Sequence, residues 1–147
     1  MKIAIGSDHA GFKLKDQIIK YLTRKNISFK DFGAFSEESV DYPTVAFSVA
    51  NAVAAKRFGR GILICGSGVG VTIAANRVRG IRAVNPSDLY TVRQSREHGD
   101  TNVLCLAGRR LKPAKAYKMV ALWLAVKFSG GARHVKRLKM LDKNHKK

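Results

Sequence analysis

Apolar runs and amphipathic stretches alternate along the chain from its first residues to about residue 126. "KIAIGS" at 2–7 is a short apolar run, the pattern of a strand buried on both faces. Leu14, Ile18 and Leu22 then recur at i, i+4 and i+8, which places them on one face of a helix. "SFKDFG" predicts a second strand ending at Gly33. Past the loop "AFSEESVDYP", Pro43 suits the first turn of a helix that runs to about Lys56. The cycle repeats with "GILIC" as a third strand, a short helix over 69–78, "IRAV" as a fourth strand and a helix over about 87–97. "NVLCLAG" is the fifth strand, followed by a long helix with Ala116, Val120, Trp123 and Val126 on one face. Continuous apolar strands separated by helices specify a parallel sheet covered on both sides. The expected architecture is a single α/β unit, a Rossmann-like three-layer sandwich of about five parallel strands.

The pattern changes at "FSGGAR". Gly130-Gly131 marks a break, and "HVKRLKMLDKNHKK" is too polar to join the sheet. Residues 1–131 therefore read as the sandwich and 132–147 as a basic C-terminal arm of the same unit. Charge gathers here: the chain holds 28 Lys and Arg against 10 Asp and Glu, and residues 109–147 carry +12 of the +18 net charge, with Asp142 their one acid. Such a skew suits nucleic acid, an acidic membrane face or a phosphorylated substrate, and a solvated basic helix shows it too. Lys136, Lys139, Lys143, Lys146 and Lys147 read as that solvated face. A hydrophobic content of 46% over 147 residues excludes a disordered chain, and no run approaches the roughly 20 apolar residues that span a bilayer. The N-terminus lacks the long apolar stretch of a signal peptide. Cys65 and Cys105 both lie in strand contexts, so free thiols in a reducing cytoplasm are expected.

Ligands of an open parallel sheet bind outside the carboxyl ends of the strands. Ser7-Asp8-His9, Asp41-Tyr42 and Cys65 to Gly70 follow the first three strands. His98 to Asn102 is grouped with them, although His98 ends a helix rather than a strand. The loop Gly66-Ser67-Gly68-Val69-Gly70 is spaced G-x-G-x-G, not G-x-G-x-x-G, and no acidic residue closes "IRAV"; a dinucleotide fingerprint and a Walker loop are both absent. What remains is a run of bare backbone N–H groups at a helix N-terminus, a generic anion cradle, or simply a tight strand-to-helix turn. Cys65 stands directly before it. A thiol in that position is prone to ionise near neutral pH, which suits a base that generates an oxyanion. Cys105, inside the fifth strand, reads as a buried core residue. His9 and His98 are acid–base candidates, with a hydrogen-bonded structural role as the alternative for each. No Cys-x-x-Cys, His-Glu-x-x-His or carboxylate set occurs, so neither a metal nor an organic cofactor is expected.

"GSDHAGF", "DYP", "ICGSGVGVTIAANRVRGIRA", "REHGDTNVL" and "GGARHVKRL" together resemble the type B ribose-5-phosphate isomerases, whose wider family includes the galactose-6-phosphate isomerase subunits. The resemblance implies interconversion of ribose 5-phosphate and ribulose 5-phosphate with no cofactor. It implies Cys65 as the base between C2 and C1, His98 as the acid that opens the furanose ring, and Asp8, His9, Asp41 and Tyr42 around the sugar. The backbone of Gly66, Gly68, Val69 and Gly70, with Ser67, would hold the enediolate oxygen; Arg109, Arg133, His134 and Arg137 would meet the phosphate. Members are homodimers, or dimers of dimers, with sites shared between subunits. His98 favours the pentose enzyme, because the galactose-6-phosphate subunits lack it. Two departures stand out: Gly99 replaces the asparagine of the usual "HND", and Ala132 is an extra residue in the usual "GGRH". Two alternatives follow. One is an isomerase of six-carbon sugar phosphates (allose 6-phosphate or galactose 6-phosphate), with Gly99 making room. The other is a basic nucleic-acid-binding protein on the same fold. Against the latter, Tyr117, Trp123 and Phe128 fall at helical core spacing rather than on a stacking platform. No membrane partner is expected.

Overall fold

Side chains that alternate along each strand sort into two separate cores, one on either face of a sheet. In β1 (Ile3–Ser7), Ile3 and Ile5 face one side and Ala4 the other; in β3 (Arg60–Cys65), Ile62 and Ile64 oppose Leu63 and Cys65. In β5 (Val103–Ala107), Leu104 and Leu106 oppose Val103 and Cys105. The first face packs on α1 (Phe12–Arg24) and α5 (Pro113–Ala125) through Leu14, Ile18, Leu22, Met119, Val120 and Trp123. The second packs on α2 (Tyr42–Ala54) and α3 (Val69–Ala75) through Ala46, Val49, Val53, Val71 and Ala75. Burial on both faces explains why the strands read as unbroken apolar runs.

The remaining elements are β2 (Phe29–Asp31), β4 (Ala83–Val84), α4 (Leu89–Glu97) and α6 (Ala132–Asn144). This computed structural model describes residues 1–144, so Lys146 and Lys147, assigned above to the solvated face, lie outside the described residues. All five strands are parallel, in the order β2-β1-β3-β5-β4. The three-layer sandwich expected from the sequence is the fold observed.

Several boundaries differ from expectation. The fourth strand is Ala83–Val84 rather than all of "IRAV", because β4 is an edge strand whose flanking groups are taken by side chains. Arg82 N–H donates to Asn102 Oδ1 at 2.8 Å, and Asn76 brackets Ala83 with bonds of 2.8 and 3.0 Å. Helix α3 ends at Ala75, and turns carry the chain on to Val78. Val126 leaves the α5 helix with extended backbone (ψ 129°), yet stays buried. Pro43 stands in the first turn of α2, as its fixed φ favours. The extra Ala132 opens α6, so Arg133, His134 and Arg137 all stand within that helix.

Candidate active site

Strand β1 lies between β2 and β3, so the connections leaving β1 and β3 depart to opposite sides and leave a crevice at the carboxyl edge. Backbone bonds hold its walls. Asp8 N–H donates to Ile64 O (3.1 Å), Gly108 N–H to Cys65 O (2.7 Å) and Arg109 N–H to Gly66 O (3.1 Å). The resulting cleft has a volume of about 440 Å³, within the usual range for a small-molecule site. Asp8, His9, Ala10 and Tyr42 line one side of it, with Cys65, Gly66, Ser67, Gly70, Arg109 and Arg110 completing the wall. Two grooves of about 490 Å³ each flank α6; one is lined by Lys136, Lys139 and Lys143 with Val135 and Met140, the other by Arg82, Thr101, Leu138 and Asp142 among others, and neither contains a cysteine or histidine.

Cys65 ends β3 and is 5% exposed, on the floor of the cleft. Gly68 N–H donates to its Sγ at 3.1 Å, a contact that negative charge on sulfur strengthens. Val69 N–H donates to Ser67 Oγ at 3.2 Å, which leaves the Ser67 hydroxyl proton free for another acceptor. The loop is therefore not the run of bare amides read from the sequence: two of its N–H groups already have partners within it. Its glycines answer to turn geometry and close packing as well. Gly68 has φ +79°, and a Cβ there would lie 2.6 Å from Asn85 Oδ1; a Cβ on Gly70 would lie 2.8 Å from the Tyr42 ring.

Asp8, 7% exposed, accepts Gly11 N–H at 2.9 Å through Oδ1. His9 Nδ1 faces the Val40 backbone, 3.2 Å from its N–H and 3.3 Å from its carbonyl oxygen, which fixes the ring at the cleft wall in either tautomer. The loop supplying Val40 is anchored at its start by Lys15, a fully buried amine 2.8 Å from both oxygens of Asp31 and bonded also to Ala34 O. Cleft and loop thus share one scaffold. Asp41 is the N-cap of α2 and does not line the cleft, and the Val69 side chain is exposed beside it. Sequence reasoning missed Ala10, Arg110 and Asn85. Arg110 follows β5 at its carboxyl end, so the rule that found Cys65 could have found it.

The grouping of His98 with these residues is corrected by the topology. Each helix between parallel strands returns the chain from the carboxyl edge to the amino edge. His98 caps the C-terminus of α4, and Asn102, four residues on, bonds Gly61 N–H at the amino end of β3. His98, Arg133, His134 and Arg137 are absent from the cleft walls. They gather elsewhere: the His98 and His134 rings stack with centroids 4.0 Å apart and 11° between planes. Arg133 Nε donates to His134 Nε2 at 3.4 Å. Past the Gly130-Gly131 break the arm therefore docks on its own chain beside His98. The four phosphate candidates divide, with Arg109 at the cleft and the other three with His98.

His134 is 8% exposed, and burial, helped by His98, Arg133 and Arg137, lowers its pKa below the ordinary 6.5. The unfolded chain then binds more protons here than the folded chain, so this docking is stabilising above about pH 6.5 and weakens as pH falls through the lowered folded value. Melting temperature is expected to fall over that window, with a shallower slope in His134→Phe, which keeps a stacking ring but cannot titrate. Thermal melts from pH 5 to 8 check this; equal slopes would remove His134 from the explanation. Cys65 and Cys105 are both free thiols, and burial pushes Cys105 up to about 12.

Among the described residues, no group of His, Cys, Asp and Glu has the geometry to hold a metal ion. None of the described helices is long and apolar enough to cross a membrane.

A profile of the Ribose/Galactose Isomerase family matches residues 3–141. Ribose-5-phosphate isomerase B of Escherichia coli is 45% identical over 140 residues, 95% of this chain and 93% of that protein. The solved ribose-5-phosphate isomerase B of Clostridium thermocellum superposes with a TM-score of 0.97 at 44% identity, covering 99% of this chain and 98% of its own. The Mycoplasma genitalium enzyme, solved with bound ribulose 5-phosphate, gives 0.93 at 38% identity over 99% and 97% of the two chains. With its fold and nearly its whole length in common with these proteins, the chain belongs to the ribose/galactose isomerase family.

Proposed function

We propose that the chain is an aldose–ketose isomerase that interconverts D-ribose 5-phosphate and D-ribulose 5-phosphate through an enediolate, as a homodimer with shared sites. The observation that carries this is Cys65 on the floor of the cleft, with Gly68 N–H on its sulfur and the Ser67 hydroxyl beside it. The ligand named for the Mycoplasma genitalium relative supports the substrate class.

Cys65, as thiolate, takes the C2 proton of the open-chain aldose. The C–H electron pair becomes the C1=C2 bond, and the carbonyl pair moves onto O1. Ser67 and the loop amides stabilise that oxygen; the O2 hydroxyl proton then passes to O1, an O2 lone pair forms the C2 carbonyl, and the C1=C2 pair takes the proton back from Cys65 at C1 to complete the ketose. Positioned donors of this kind and a positioned base each contribute a few powers of ten in rate. His9 and Asp8 bind sugar hydroxyls, and Arg109 approaches the phosphate.

Ring opening falls to the partner's His98, with the partner's Arg133, His134 and Arg137 on the phosphate. Two copies supply the two halves, because within one chain Cys65 ends β3 at the carboxyl edge while His98 follows α4 at the amino edge, and a strand of about five residues spans roughly 17 Å. Val69 and Ile73, one turn apart on α3 and both more than half exposed, offer apolar surface to a second copy at the edge of the cleft.

Steady-state assays of purified protein on ribose 5-phosphate, allose 6-phosphate and galactose 6-phosphate test the reading. Turnover is expected on the first, and its absence there would overturn the proposal. Gly68→Ala is expected to lower kcat by about 10²-fold, because a Cβ strains the positive φ and displaces Asn85 from a loop whose placement must hold to within an ångström. Rates within threefold of the parent enzyme would show that the loop geometry is not limiting.

A further inference from the structure

We infer that Arg82 is a positioning residue that sets the place of His98 and ties α6 to it, an inference that rests on the reading of His98 in ring opening. Its guanidinium makes four contacts that share one purpose. Nε donates to both Gly99 O and Asp100 O at 3.1 Å, the two carbonyls directly after His98. One terminal nitrogen pairs with Asp100 Oδ2 at 2.9 Å, and the other reaches Asp142 Oδ1 on α6 at 3.4 Å. Gly99 brings no side chain of its own to this turn, and Asp100 sits at φ +41°, where a non-glycine residue needs holding. Asp100 is held from both sides. Arg96, 5% exposed, donates to Asp100 Oδ1 (2.9 Å), Thr101 O (2.6 Å) and Val126 O (3.2 Å) from within. Arg82 closes the same turn from outside.

The link to Asp142 extends the hold to the arm. Asp142 is the one acid in residues 109–147, and it is spent on Arg82 rather than on a neighbouring lysine. His98 and the helix carrying Arg133, His134 and Arg137 thereby become one body. Pairs this exposed contribute little stability, so Arg82 matters chiefly through placement. A misplacement of about 1 Å is enough to cost up to 10²-fold in rate.

A double-mutant cycle on ribose 5-phosphate separates placement from a merely structural role. Arg82→Ala is expected to lower kcat by about 10-fold or more, and by less than about twofold in a His98→Asn background, because the group that Arg82 positions is then gone, while its rise in KM through α6 persists in both. The same loss in both backgrounds would overturn the inference. A His98→Asn enzyme with the parent's rate would instead overturn the ring-opening reading, and the inference with it. Should Arg82→Ala fail to fold, Arg82→Lys, which keeps the charge and loses the fork, completes the same cycle. Asp142→Asn is expected to raise KM more than it lowers kcat, since it loosens the arginines of α6; a KM within twofold of the parent would remove the α6 half of the inference.

Discussion

Cys65→Ala is expected to lower turnover of ribose 5-phosphate by about 10³-fold or more, with the fold intact. The thiol is the group the proposed proton transfer uses, with the other basic groups of the cleft, Asp8 and His9, assigned to the sugar hydroxyls. Little stability is at stake, since alanine suits the small-residue packing beneath α3, where Ala74 and Ala75 share the same core. Cys105 supplies the contrast. It is fully buried in the middle of β5 and its thiol is held neutral by burial, so Cys105→Ala is expected to remove about 1 kcal/mol of stability while turnover persists. Assays at matched folded concentration, with melting curves, check both. Near-parent activity in Cys65→Ala would sink the mechanism, whatever Cys105 does.

The place of Cys65 was legible because it depends on local order alone. An apolar strand that ends in a thiol and turns into a helix through glycines must put that thiol at the carboxyl edge of a parallel sheet, and Asp8, His9 and Tyr42 follow by the same rule. Resemblance added roles that no spacing supplies, those of His98 and the arginines of the arm above all. Harder to read was anything that depends on what lies across a turn. Asp100 looked like part of a site motif, yet it is bound by Arg82 and Arg96, eighteen residues before it and four before it. Gly99 looked like room for a larger sugar, but a Cβ there would lie 2.8 Å from Ser95 O, so its bareness serves the turn. Edge strand β4 came out too long because Asn76 and Asn102, polar and unremarkable in sequence, take over its ladder bonds. The placement of His98 failed for the plainest reason. Helices run back along the sheet, so a residue at a helix end belongs to the opposite edge from one at a strand end.

That opposition yields the second large effect. Mixed subunits, one carrying Cys65→Ala and the other His98→Asn, are expected to regain activity that neither variant has alone. If each cleft takes Cys65 from one chain and His98 from its partner, the heterodimer concentrates both lesions in one cleft and leaves the other intact. A purified heterodimer is then expected to work at on the order of half the parent rate, and an equal mixture after random exchange at roughly a quarter. The arrangement within one chain makes this the demanding test. His98 is fixed against His134 at 4.0 Å, its turn is held by Arg82 and Arg96, and the cleft walls contain neither histidine. In the proposed dimer a second copy brings that face to the Cys65 loop and leaves the turn intact. Mixing Cys65→Ala with Arg137→Ala extends the logic to the phosphate, because Arg137 shares α6 with His134 and is expected to complement in the same way. Heterodimers verified by mass and still inactive would show that each chain serves its own cleft or that the His98 face does not meet the sugar at all.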